Sequence, residues 1–180
     1  MVVIGLTSCA SFPITSMYKL RNFDLATTDL TLLRFAVRAP NDITIPKNGF
    51  QLVLSTTHEE RPSLKEVINL EQINDATALR NLEREGTHVL AFRIASEDVE
   101  RFNQFRYMIR IEKDFGAEGS LDIEMSTCRT TSKIPSYIPI STFVNASETQ
   151  GYVALMRDVD LLNKGRHKTL EELLPECTSR

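Results

Sequence analysis

Short apolar runs of five to eight residues, each bounded by turn residues, recur along most of the chain and restrict what it can fold into. Leu32-Leu33-Arg34-Phe35-Ala36-Val37-Arg38 stops at Ala39-Pro40-Asn41-Asp42. Phe50-Gln51-Leu52-Val53-Leu54-Ser55 follows the turn Pro46-Lys47-Asn48-Gly49, and the two runs read as neighbouring antiparallel strands. His88 to Ala95, Leu121 to Met125, Tyr137 to Val144 and Gly151 to Met156 continue the series. Leu121-Asp122-Ile123-Glu124-Met125 alternates, which gives its strand one buried and one solvated face. Pro135 and Pro139 suggest that the 137–144 strand lies at an edge. Val67, Ile68, Leu70 and Ile73 fit either a strand or a helix, with the strand favoured.

Two segments carry a different period. Asp75 to Glu85 reads as a short helix, with Asp75 as N-cap and Gly86 at its stop. Ser96 is placed to cap a longer helix from Glu97 to about Phe115, with acids in its first turn and Gly116 at its end. Val99, Phe102, Phe105, Met108 and Ile109 form one apolar stripe on it, read as core packing and not as a ligand groove. Six or more strands with two inserted helices predict a mainly β, α+β fold, an antiparallel β-sandwich for which an immunoglobulin-like arrangement is one candidate.

With 180 residues the chain can bury one substantial core, and no repeat or low-complexity segment divides it. A net charge of −3 with Lys and Arg scattered gives no footprint for nucleic acid. No stretch reaches the roughly 20 apolar residues of a membrane-crossing helix, so any membrane attachment would be by an anchor.

The start of the chain, Met1-Val2-Val3-Ile4-Gly5-Leu6-Thr7-Ser8-Cys9, is apolar and ends in small residues and a cysteine. Leu6-Thr7-Ser8-Cys9 resembles the lipobox of bacterial lipoproteins. That resemblance implies cleavage before Cys9, a diacylglycerol on its thiol and an acylated new amino terminus. A full signal peptide has a basic start and an apolar stretch of roughly 7–15 residues. Only eight residues precede Cys9 and none is charged, so residues 1–8 read as a truncated signal peptide. The alternative is a buried first strand over Val2 to Leu6 with Cys9 as a small core residue. A phosphate-binding loop starting at Gly5 fails, because Ala10 and Ser11 stand where the second glycine and the lysine would be needed. Residues 9–22, rich in Ser and Thr and without clear period, read as a tether, and 23–180 as a single globular domain.

If Cys9 carries lipid, Cys128 and Cys177 remain as one pair. Their bond would close a loop of roughly 50 residues, adding about 4 kcal/mol in the chain-entropy view. It would staple the end of the chain, just after the candidate helix Leu170-Glu171-Glu172-Leu173-Leu174. Two independent buried thiols are the alternative.

The chemistry-bearing residues are sparse. His58, His88 and His167 have no partner at zinc or metalloprotease spacing, and no serine-nucleophile motif occurs. Asp158-Val159-Asp160 could hold a divalent cation. On a strand, however, the same spacing puts both acids on one solvated face, where replacement costs under about 1 kcal/mol. The segment Ile134-Pro135-Ser136-Tyr137-Ile138-Pro139 could dock a partner as an extended edge, although a rigid loop is the simpler reading.

The C-terminal half also resembles small envelope lipoproteins of proteobacteria, through Cys128-Arg129, Pro139-Ile140-Ser141-Thr142-Phe143 and Arg157-Asp158-Val159-Asp160-Leu161. This resemblance implies compartment and anchoring only. The expected function is therefore that of a non-catalytic, cofactor-free accessory or adaptor lipoprotein. Its partners would be the membrane, through Cys9, and another envelope protein. Ala10 and Ser11 stand where many lipoproteins carry the aspartate that retains them in the inner membrane, so the resemblance implies the outer membrane, facing the periplasm. A carrier of lipid or a small apolar ligand is the alternative, and an enzyme with a metal at Asp158 and Asp160 ranks third.

Overall fold

The computed structural model describes residues 14–57, 63–114, 118–133, 135–164 and 169–177. The lipobox, Cys9, His58 and His167 lie outside them. The elements run α1 (Ile14–Leu20), β1 (Arg34–Pro40), β2 (Ile43–Thr44), β3 (Phe50–Thr57), β4 (Lys65–Ile73), α2 (Ala76–Leu79), β5 (Thr87–Ile94), α3 (Val99–Asp114), β6 (Glu118–Met125), β7 (Cys128–Arg129), β8 (Pro139–Asn145), β9 (Val153–Asp160), α4 (Leu161–Lys164) and α5 (Leu170–Leu173).

Seven strands form one antiparallel sheet in the order β6-β3-β4-β5-β1-β8-β9, and β2 pairs with β7 as a separate ribbon. The fold is thus mainly β with a few helices, the sheet curling to give a sandwich-like α+β arrangement. The curl can be read from three rings. Phe35 of β1 and Phe50 of β3 are three strand steps apart, roughly 14 Å across a flat sheet. Their ring centroids are nevertheless 6.4 Å apart, and Phe50 meets Phe92 of β5 edge-on at 4.8 Å. The sheet bends around these rings and makes its concave side the main core.

β1 is an interior strand, between β5 and β8, and is covered on both faces. Phe35, Val37 and Ala39 enter the main core, while Ala36 joins Leu79, Ala91, Phe143 and Ala154 in a smaller cluster. The short helical turn around Leu79 and Leu82 provides that second cover. α3 lies against β4 and β6 and closes the main core with Phe102 and Phe105, both fully buried.

Several expectations need correction. β1 and β3 are not neighbours, because the chain between them leaves the sheet as β2 to meet β7; β1 pairs with β5 and β8 instead. β8 is an interior strand between β1 and β9. Its proline is tolerated because Pro139 is the first strand residue, beyond the β1 ladder that runs from Asn145 to Ser141. Part of the expected tether is the helix α1, in which Ser16 is buried and Leu20 packs on the main core. Seven residues are fewer than two helical periods, too few for a pattern to show in the sequence.

Neither expected helix cap makes its bond. Asp75 instead accepts from the Tyr152 hydroxyl at 3.1 Å, and its helix shrinks to α2 plus a 3₁₀ turn over Arg80–Leu82. Ser96 turns to Glu71, and a 3₁₀ turn over Ser96–Asp98 leads into α3. Met108 leaves the α3 stripe and is 37% exposed. At 100° per residue it falls on the opposite flank of Phe105 from Phe102 and Ile109, beside Tyr107 and Ile111.

Candidate functional site

The chemically densest cluster lies on the outer face of the sheet and is built on a register defect in β9. Two register shifts separate β9 from β8, one between Ile140 and Thr142 and one between Thr142 and Phe143. At the first, Asp158 takes a left-handed backbone conformation, with φ 49°. Aspartate tolerates this better than most residues. The shift removes the Asp158 N–H from the regular ladder, and it donates to Ser141 Oγ at 2.9 Å. The Ser141 hydroxyl donates in turn to Asp158 Oδ1 at 3.1 Å, so one hydroxyl serves both backbone and carboxylate.

Arg38 completes the cluster. It projects from β1 on the Ala36 side, and its side chain is only 7% exposed. Its guanidinium donates to Asp158 Oδ1 at 2.9 Å, Ser141 Oγ at 3.0 Å and the Leu82 carbonyl at 3.0 Å, and sits 5.6 Å from the Phe143 ring centroid. Arg84, largely solvated, reaches the second carboxylate oxygen at 3.1 Å. Tyr137, 54% exposed, donates to the Asp158 carbonyl at 3.3 Å. Burial of the Asp158 carboxyl works against its charge. Hydrogen bonds from Arg38 and Ser141, with the positive charges of Arg38 and Arg84, outweigh burial and hold its pKa below the ordinary 3.8.

The two acids of the D-x-D segment therefore do not share a free solvated face. Asp160 accepts from the Ile138 and Leu162 N–H groups at 3.1 and 3.2 Å and from Asn163 Nδ2 at 3.1 Å, which ties β8 to the start of α4. Both carboxylates are occupied by protein donors. Among the described residues, no group of three His, Cys, Asp or Glu side chains is placed to hold a metal ion. His88, in β5 opposite Ala39, is half-buried, and burial lowers its pKa from 6.5.

The sequence reading missed Arg38. An arginine two residues after Ala36 in a strand that is apolar on both faces was the available signal, because such a strand has no solvated side to receive it.

A second constellation fixes the segment from Leu174 to Cys177. Cys128 and Cys177 are joined by a disulfide. Around it, Arg129 N–H donates to the Pro175 carbonyl and Cys177 N–H to the Arg129 carbonyl, both at 2.9 Å, so that the terminal segment extends the β2–β7 ribbon. The Arg129 side chain donates to the Leu174 carbonyl and Glu176, and Leu174 itself is fully buried in the main core.

A third feature is apolar surface. Tyr107, Met108 and Ile111 of α3 are 66%, 37% and 42% exposed on the flank away from Phe102. Comparison of the chain with known protein families, curated proteins and solved structures finds no match.

Proposed function

We propose that the chain is a cell-envelope lipoprotein, anchored through Cys9 in the outer membrane and facing the periplasm, whose domain works by contact as an accessory or adaptor subunit. The observation that carries the contact reading is the two-sidedness of α3. One side packs Phe102 and Phe105 fully into the main core, and another presents Tyr107, Met108 and Ile111 to solvent. A carrier of lipid or a small apolar ligand would need Phe102, Phe105 and Ile109 to line a cavity. They pack instead with the rings and aliphatic side chains of the sheet. The saturated carboxylates of Asp158 and Asp160 give no support to metal chemistry at that pair.

A photo-crosslinking residue at position 107, expressed in the native host, tests the reading against the same probe at 124, exposed on the face of β6 away from the main core. A discrete adduct to one envelope protein from 107 alone is expected. Stoichiometric non-covalent lipid in an organic extract of the purified domain, without any such adduct, would replace the adaptor with the carrier.

A further inference from the structure

We propose that the exposed end of α1 and the turn after it, carrying Tyr18, Lys19 and Arg21, dock on an anionic bilayer surface and orient the domain against the membrane that anchors it. This rests on the reading of Cys9 as the lipidated residue.

The argument begins with distance. From Cys9 to Ile14, the first residue of α1, there are five Cα steps. At no more than about 3.6 Å each they reach about 18 Å fully extended. A domain of this size has a radius of gyration of about 15 Å, so the spacer keeps α1 within little more than one domain radius of the anchored lipid. Among the described elements α1 is therefore the one tied closest to the headgroups, a layer about 5–7 Å deep on each side of the hydrocarbon.

α1 is also held in place. Ser16 is buried, Leu20 packs on the main core, and the helix lies against β9, the last strand of the sheet. What it turns outward suits the interface. Tyr18 is 67% exposed, with the Arg21 guanidinium 4.3 Å over its ring, and Lys19 is exposed beside it. An aromatic ring with a polar tip, flanked by long basic side chains, is the combination that sits at the boundary between headgroups and acyl chains.

Charge selects the same surface. The first 23 residues contain two bases and no acid, whereas the rest of the chain holds 19 bases against 24 acids. An acidic protein thus places a local positive patch beside its own anchor. The remainder would be repelled by anionic lipid, which favours one orientation.

The chain contains no tryptophan, so Tyr18→Trp makes a single fluorescent reporter. The acylated full-length variant is reconstituted into phosphatidylglycerol-containing vesicles with brominated acyl chains, and its intact mass is recorded on the same sample. A blue-shifted, bromine-quenched Trp emission is expected. In the Cys9→Ser background, binding to phosphatidylglycerol vesicles should weaken about thirtyfold when Lys19→Gln and Arg21→Gln are combined. Vesicles of phosphatidylcholine alone should bind neither form. A mass showing acyl chains on Cys9 with solvent-like, unquenched Trp emission overturns the docking and leaves the anchor standing. A mass showing unmodified Cys9 overturns the anchor, and the docking argument with it.

Discussion

Arg38 and Asp158, 120 residues apart in sequence, meet at 2.9 Å on the outer face of the sheet, one almost fully buried and the other partly solvated. The asymmetry decides what each substitution does. Asp158→Asn leaves a buried guanidinium without its anion. The expected loss is about 2 kcal/mol, below the 3–5 kcal/mol of a fully buried pair, because water reaches one partner. This replaces the sub-kilocalorie effect expected of a solvated acid. Arg38→Met combined with Asp158→Asn should recover much of it, and urea denaturation of the four-member cycle measures the coupling. A single Asp158→Asn variant as stable as the parent would show that the pair contributes nothing.

The same pair sets an acid limit. Asp158 titrates below 3.8 in the folded protein and near it when unfolded. Its contribution is therefore fully present above that value and is lost as the pH falls through the folded pKa. Thermal melts from pH 6 to pH 2 should show a shallower acid limb in Asp158→Asn than in the parent. Identical limbs would remove Asp158 from the acid response.

His88 works at higher pH and with a different chemistry. Burial lowers its folded pKa below 6.5, so the unfolded chain takes up a proton that the folded chain refuses. Stability should fall as the pH drops below about 6.5, until the folded pKa is reached. His88→Gln should flatten that slope in guanidinium titrations at pH 7.5, 6.5 and 5.5.

The C-terminal staple should be visible without any functional assay. The disulfide spans 49 residues, and its loss is expected to cost about 4 kcal/mol in the chain-entropy view. Leu174→Ala in the oxidised protein should cost about 3 kcal/mol through its cavity alone. Non-reducing peptide mapping of protein prepared without reductant should recover Cys128 and Cys177 in one fragment. Two free thiols would remove the staple.

The strand count, the antiparallel class and the main helix were legible because each rests on a period that only a few residues establish. Leu121 to Met125 shows this best: five residues display the alternation that the folded strand keeps. Strand order was not legible, since nothing local to Arg38 or Phe50 records that β2 departs between them. The Asp158 cluster was hidden for a related reason. The two acids look alike in sequence, and only the register shift against β8, with a second cover over Ala36 and Arg38, gives them different partners. Helix caps failed where a distant group, Tyr152 for Asp75 or Glu71 for Ser96, competed for the capping side chain.

The interior strand β1 sets a timetable for folding. β1 is made early, yet one of its two partners, β8, lies about a hundred residues further along, with Arg38 bonded to Ser141 at a separation of 103. Until that stretch has emerged, β1 has one open edge. Assembly of the sheet is consequently a late, non-local event, slow by the standard of helical domains of this length. A chain emerging vectorially from one end therefore carries β1 with at least one edge open while about a hundred further residues are made, the interval in which a holding chaperone would have the most to do.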